Sequence, residues 1–140
     1  MSDWDDIRRG RIGVDLLAAE REARVRVGAE LLTLVERGGG GVTLDRAGHP
    51  VYPTSGYAVG ITAGTAAIVR DLDPYAVAEA VRAVRRLYSG ADYFGLWLSD
   101  GALHIDPVAI VGTFHDAAIL GKHHGQLAVF AFEDLKDCPL

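Results

Sequence analysis

The sequence predicts an α+β fold: a mostly antiparallel sheet built from β-hairpins, helices packed on one face, and a long N-terminal helix. Three observations carry this expectation. A proline-free stretch with apolar residues at helical spacing opens the chain and runs into four consecutive glycines. Short apolar runs then flank glycine-containing turns three times, and two later segments carry helix start and stop signals. Runs of hairpins exclude a doubly wound parallel sheet, in which strands and helices alternate one by one.

From about Asp5 to Arg37, Val14, Leu17, Leu31, Leu34 and Val35 fall on one helical stripe, while Glu20 to Arg26 mixes both charge signs on the wet side. Gly10, Gly13 and Gly28 weaken helicity locally, so the segment reads as one long helix or as two with a break near Gly28. Gly38 to Gly41 ends it, the first glycine capping in the left-handed region.

Val42–Leu44 and Pro50–Tyr52 flank a turn at Asp45–Gly48, and Pro50, with no amide to donate, assigns its arm to a sheet edge. Tyr57–Ile61 and Ala66–Val69 flank Thr62–Thr65 as a second hairpin. The third is the most legible. An Asp100-Gly101 type I′ bend sets Ser99 opposite Ala102, Leu98 opposite Leu103, Trp97 opposite His104 and Leu96 opposite Ile105. Phe94, Leu96, Leu98, Leu103 and Ile105 then face the core, and Tyr93, Trp97, His104 and Asp106 face the other way.

Asp73-Pro74 starts a helix whose buried stripe is Val77, Val81, Val84 and Tyr88, with Arg82, Arg85 and Arg86 off it. Thr113 to Asp116 starts another, with small residues at Ala117, Ala118 and Gly121 and a stop at Gly125. Leu127 to Phe132 reads as a last, central strand. The expected division is a single domain over 1–140: a helical segment at 5–37, a glycine loop at 38–41, an α+β core at 42–134 and a tail at 135–140.

A net charge of −5 over 140 residues withholds the positive field that drives nonspecific nucleic-acid binding. One cysteine, Cys138, makes no internal disulfide. The acidic start and the lack of a long apolar run give neither a signal peptide nor a membrane span. The expectation is a cytoplasmic protein without membrane contact.

The pattern Tyr93-x-Gly95-x-Trp97-x-x-Asp100-Gly101, then Ile105-Asp106, then a short helix with Ala117, Ala118 and Gly121, then Gln126-x-Ala128-Val129, covers residues 93–134. It resembles a loose group of small uncharacterised proteins encoded by actinobacteria and their phages or mobile elements. Where relatives in that group often have an arginine near the helix end, this chain has His123-His124. The shared motifs are structural, and the resemblance implies a link to phages or mobile elements without carrying over any catalytic residue.

Four of the five histidines lie between positions 104 and 124. His115 and His123 are separated by more than two helical turns, so they share no ion, and adjacent His123 and His124 diverge; neither a metal nor a cofactor is expected. The face bearing Tyr93, Trp97, His104 and Asp106 has three readings: a half-buried sheet face covered by the N-terminal helix, a binding surface, and a catalytic site in which Asp106 orients His104. The first is favoured, and no nucleophile elbow supports the last. Gly60-x-x-x-Gly64-Thr65 lacks the lysine of a phosphate loop. Arg82, Arg85 and Arg86 read as a solvated helix face, with an anionic partner as the rival.

Good folding signals without an assembled chemical constellation point to a non-catalytic interaction or regulatory module, homodimeric through the surplus apolar stripe of the long helix. The alternative is a small-molecule binder or enzyme using the Trp97, His104 and Asp106 face.

Overall fold

The computed structural model describes residues 11–140. Helix α1 (Arg11–Arg37) runs unbroken for 27 residues, about 40 Å at the helical rise. Its expected start near Asp5 and the side chain of Val14 lie outside the described residues. Gly28 does not break it. A Cβ there would overlap the carbonyl oxygen of Pro74, the first residue of helix α2 (Pro74–Leu87), and would sit 2.9 Å from its Cα. Gly28 is thus a crossing point at which two helix backbones approach closely. Beyond it Leu31 and Val35 are buried, but Leu16 and Leu17 remain 64% and 67% exposed. The expected stripe therefore splits: Leu16 and Leu17 stand clear of the domain, whereas Arg21 lies over the Tyr75 ring and Arg24 pairs with Glu79 of α2. The left-handed cap falls on Gly39 and Gly40 rather than on Gly38.

Every strand pairing is antiparallel, in the order β2-β1-β5-β6-β3-β7-β8, with β4 also on β6. Strands β1 (Gly41–Asp45) and β2 (Pro50–Val51) form the first hairpin, and β2 is the outermost strand, as Pro50 requires. The Asp45 carboxylate accepts the amides of His49 and Ala47, each at 2.9 Å. Those bonds, His49 foremost, hold its pKa below the usual carboxylate range. Strands β5 (Tyr93–Ser99) and β6 (Ala102–Val111) form the Asp-Gly hairpin with φ of 53° at Asp100 and 75° at Gly101, and all four expected cross-strand pairs occur.

The second expected hairpin does not form. Strands β3 (Tyr57–Gly60) and β4 (Ala67–Val69) run in the same direction, end to end, along one edge of β6. β3 takes β6 residues 108–111 and β4 takes residues 103–105. Ten residues of β6 offer enough ladder for both, so Ile61–Ala66 is an excursion from one interrupted strand rather than a reversal.

Asp73 caps α2 by accepting the Ala76 amide at 3.0 Å, with Pro74 at the first helical position. Asp73→Ala is expected to cost about 1 kcal/mol in urea denaturation; an unchanged midpoint would show that the cap contributes nothing. Helix α3 (Phe114–His123) is capped by Thr113 and closes with Gly125 at φ 70°. There the Gly125 amide donates to Lys122 and that of Gln126 to Gly121, so both ends of a Schellman motif are made. Strand β7 (Ala128–Ala131) is interior only because the expected tail is itself a strand, β8 (Lys136–Pro139), paired along its outer edge.

All three described helices pack on one face. Leu44, Phe94, Leu96, Leu103 and Ile105 meet Leu31 and Val35 of α1 and Val77, Val81 and Val84 of α2. Val59 and Val129 meet Ala117 of α3 in a second cluster. Leu98, expected in the core, is 38% exposed, because the hairpin tip extends past the helices that cover its neighbours. No described helix is long and apolar enough to cross a membrane.

Candidate functional site

Because strand residues alternate sides, the same register that buries Leu96 and Ile105 sends Trp97 and His104 to the face that none of the described helices covers. Their rings stack across the β5–β6 pair, with centroids 5.5 Å apart and planes 12° apart. A Cβ at Gly95 would lie 3.7 Å from the indole, so the missing side chain leaves room for the ring to lie along its own strand. Trp97 remains 37% exposed. The expected cover by the N-terminal helix is not there: α1 delivers Leu31 and Val35 to the opposite face. Helix–helix packing on α2 took the apolar stripe that the sheet face was expected to receive.

What folds against this face instead is the Ile61–Ala66 excursion. The Ile61 amide donates to Pro107 at 3.1 Å as the chain leaves the ladder, and the Ala66 amide donates to the Asp106 carboxylate as it returns. Gln126, held by the α3 Schellman motif, donates its side-chain amide to the carbonyls of Thr62 and Gly64. It lies across Gly60, where a Cβ would meet its carboxamide at 2.8 Å. Thr62 closes the loop internally, donating to Gly64 at 3.2 Å.

This loop corrects the reading of Asp106. With only 1% of its surface exposed, it belongs to no surface, and its hydrogen bond goes to a backbone amide rather than to His104. Burial raises its pKa above the ordinary carboxylate range, opposed by the Ala66 bond and by the field of His104. The partner of His104 is Thr65, whose hydroxyl lies 3.4 Å from Nδ1. Thr65 and Gln126 escaped the sequence reading. Thr65 stands in the Gly60-x-x-x-Gly64-Thr65 pattern, which looks like turn chemistry until β6 is known to hold both flanks, and Gln126 stands only in Gln126-x-Ala128-Val129.

Tyr93 shares the face but stands apart, four residues along β5, about 13 Å from Trp97 by strand rise. No known protein family, curated protein or solved structure matches this chain.

The remaining candidates sit elsewhere. His123 and His124 meet edge-on at 4.9 Å at the end of α3. Among the described residues, no three His, Cys, Asp or Glu side chains group as a metal site. Arg82, Arg85 and Arg86 gather with Arg46, Ser89 and Phe94 around a cavity of about 380 Å³ between the first hairpin and the end of α2.

Proposed function

We propose that this chain is a non-catalytic, homodimeric interaction module that presents its helix-free sheet face to a protein partner. The observation that carries the reading is the stacked Trp97–His104 pair, placed on that face while the neighbouring carboxylate, Asp106, is sealed and committed to a backbone amide. Half-exposed aromatic rings on a rigid sheet are what protein interfaces use as anchors. Asp106 accepts the Ala66 amide and the His104 ring meets Thr65 instead, so this carboxylate does not orient the ring. Exposed Ile68, across the ladder from His104, extends the apolar surface.

We assign self-association to the part of α1 around Leu16 and Leu17, ahead of Arg21, whose guanidinium lies over the Tyr75 ring of α2. Leu16 and Leu17 are exposed side by side there. A twofold pairing of such segments is self-complementary by symmetry. The accessory role in a mobile element rests on the resemblance over residues 93–134 alone. A small-molecule site is the second reading, favoured by the Thr65 hydroxyl aimed at His104, and weakened by the sealing of Asp106.

Light scattering across a concentration series tests the dimer. The unaltered protein and Trp97→Ala are expected at twice the chain mass, and Leu16→Asp/Leu17→Asp at the chain mass. A strict monomer at every concentration would remove the dimer. Loss of the dimer in Trp97→Ala alone would make the sheet face the self-interface.

A further inference from the structure

We infer that the cavity lined by Arg46, Arg82, Arg85, Arg86, Ser89 and Phe94 is a binding site for a dianionic phosphate group on a small molecule. It lies on the helix-bearing side of the sheet and is independent of the Trp97 surface. The cavity brings together residues from two distant stretches: Arg46 from the turn of the first hairpin, the rest from the last turns of α2, the turn after it and the start of β5.

The four guanidinium groups are not equally occupied. Arg46 donates to the carbonyls of Ser89 and Gly90 at 3.4 Å and of Ala91 at 3.5 Å, and lies 3.7 Å from Asp92. Arg85 donates one terminal nitrogen to the Arg46 carbonyl at 2.8 Å and rests against Gly48, where a Cβ would sit 3.0 Å away. Those bonds build the walls. The Arg85 Nε–H is buried and has no acceptor. Arg82 and Arg86, one helical turn apart, meet no carboxylate among the described residues. Asp45, beside Arg46, is spent on its own turn.

Arg46 has Asp92 beside it, which leaves the like charges of Arg82, Arg85 and Arg86 around the hollow without a carboxylate among the described residues. In a chain of net charge −5, such a concentration is not explained by the overall composition. Guanidinium forks match the oxygens of phosphate in pairs, which favours it over a monovalent ion. The volume is at the small end of small-molecule sites, about 300 to 1,000 Å³. A concave site of this size takes one phosphate group, whereas the acidic remainder of the surface repels a polynucleotide.

The test is isothermal titration calorimetry of the full chain with inorganic phosphate at low ionic strength, with potassium chloride at matched ionic strength as the control. Saturable binding to the unaltered protein is expected, weakened at least tenfold in Arg82→Gln/Arg86→Gln, with both proteins melting at the same temperature. Arg85→Gln is avoided, since it removes the bond to Arg46. A second readout is the Arg85 Nε–H resonance, expected to move on phosphate addition in the unaltered protein and in each single variant. The proposal is overturned if phosphate gives no saturable heat, if the double variant binds as tightly as the parent, or if a duplex oligonucleotide binds where phosphate does not.

Discussion

Gly28→Ala is expected to destabilise the protein by about 2 kcal/mol or more, even though alanine is the better helix former. The intrinsic preference favours the substitution by about 1 kcal/mol. Against it stands the new methyl group, placed over the Pro74 carbonyl and 2.5 Å from its carbon. Backbone cannot rotate away as a side chain tip can, so α1 and α2 must separate. Separation loosens Leu31 and Val35 from Val77 and Val81, all in the larger core cluster. Overpacking of a close contact costs about 1 to 3 kcal/mol, and a clash with main chain belongs at the upper end. The corresponding fall in melting temperature is about 6 to 10 °C. A variant that melts at or above the parent would show that the two helices do not cross at Gly28.

Asp106→Leu and Asp106→Asn are expected to move stability in opposite directions. Leucine leaves the half-buried Ala66 amide without its acceptor, which costs about 1 kcal/mol or more. Asparagine keeps an oxygen for that amide and removes the buried charge. The sign follows from proton linkage. Burial raises the Asp106 pKa in the folded chain, so the folded state binds the proton more tightly than the unfolded one. Stability from this group is therefore fullest below the ordinary carboxylate pKa and is lost as pH rises from there through the folded pKa. Urea denaturation across that window and up to neutral pH should show Asp106→Asn at least as stable as the parent at neutral pH, with a flatter pH profile. If Asp106→Asn is the less stable at neutral pH, the negative charge itself is required, and His104 becomes its counter-ion.

The parts of this structure that were legible in the sequence are those decided by near neighbours. Asp100-Gly101 dictates its own bend, and the bend dictates which side chains of β5 and β6 share a face. Asp73-Pro74, Thr113 and Gly125 mark helix ends because caps act within a turn or two. The misreadings share a different cause. Thr62 to Thr65 has the composition of a hairpin turn, but whether a chain reverses there depends on how much of β6, some 40 residues away, is free to pair. Lys136 to Pro139 has no apolar alternation, and becomes a strand only because β7 presents an open ladder. Gly28 looks like a weakness in a helix and is a contact between two.

The candidate site divides in the same way. Trp97 opposite His104 followed from register alone, whereas Thr65 and Gln126 reach the same face from loops that no local rule connects. The arginines of α2 were visible as a charged helix face, but Arg46, which helps to turn that face into a hollow, enters from the first hairpin.

Both rims of the sheet end on proline. Pro50 is in outermost β2 and Pro139 in outermost β8, and β8 also carries Lys136 and Asp137. A strand that lacks a donor and bears charge is a poor template for further ladder growth. The two outermost strands therefore offer poor templates for edge-to-edge pairing between copies of this chain.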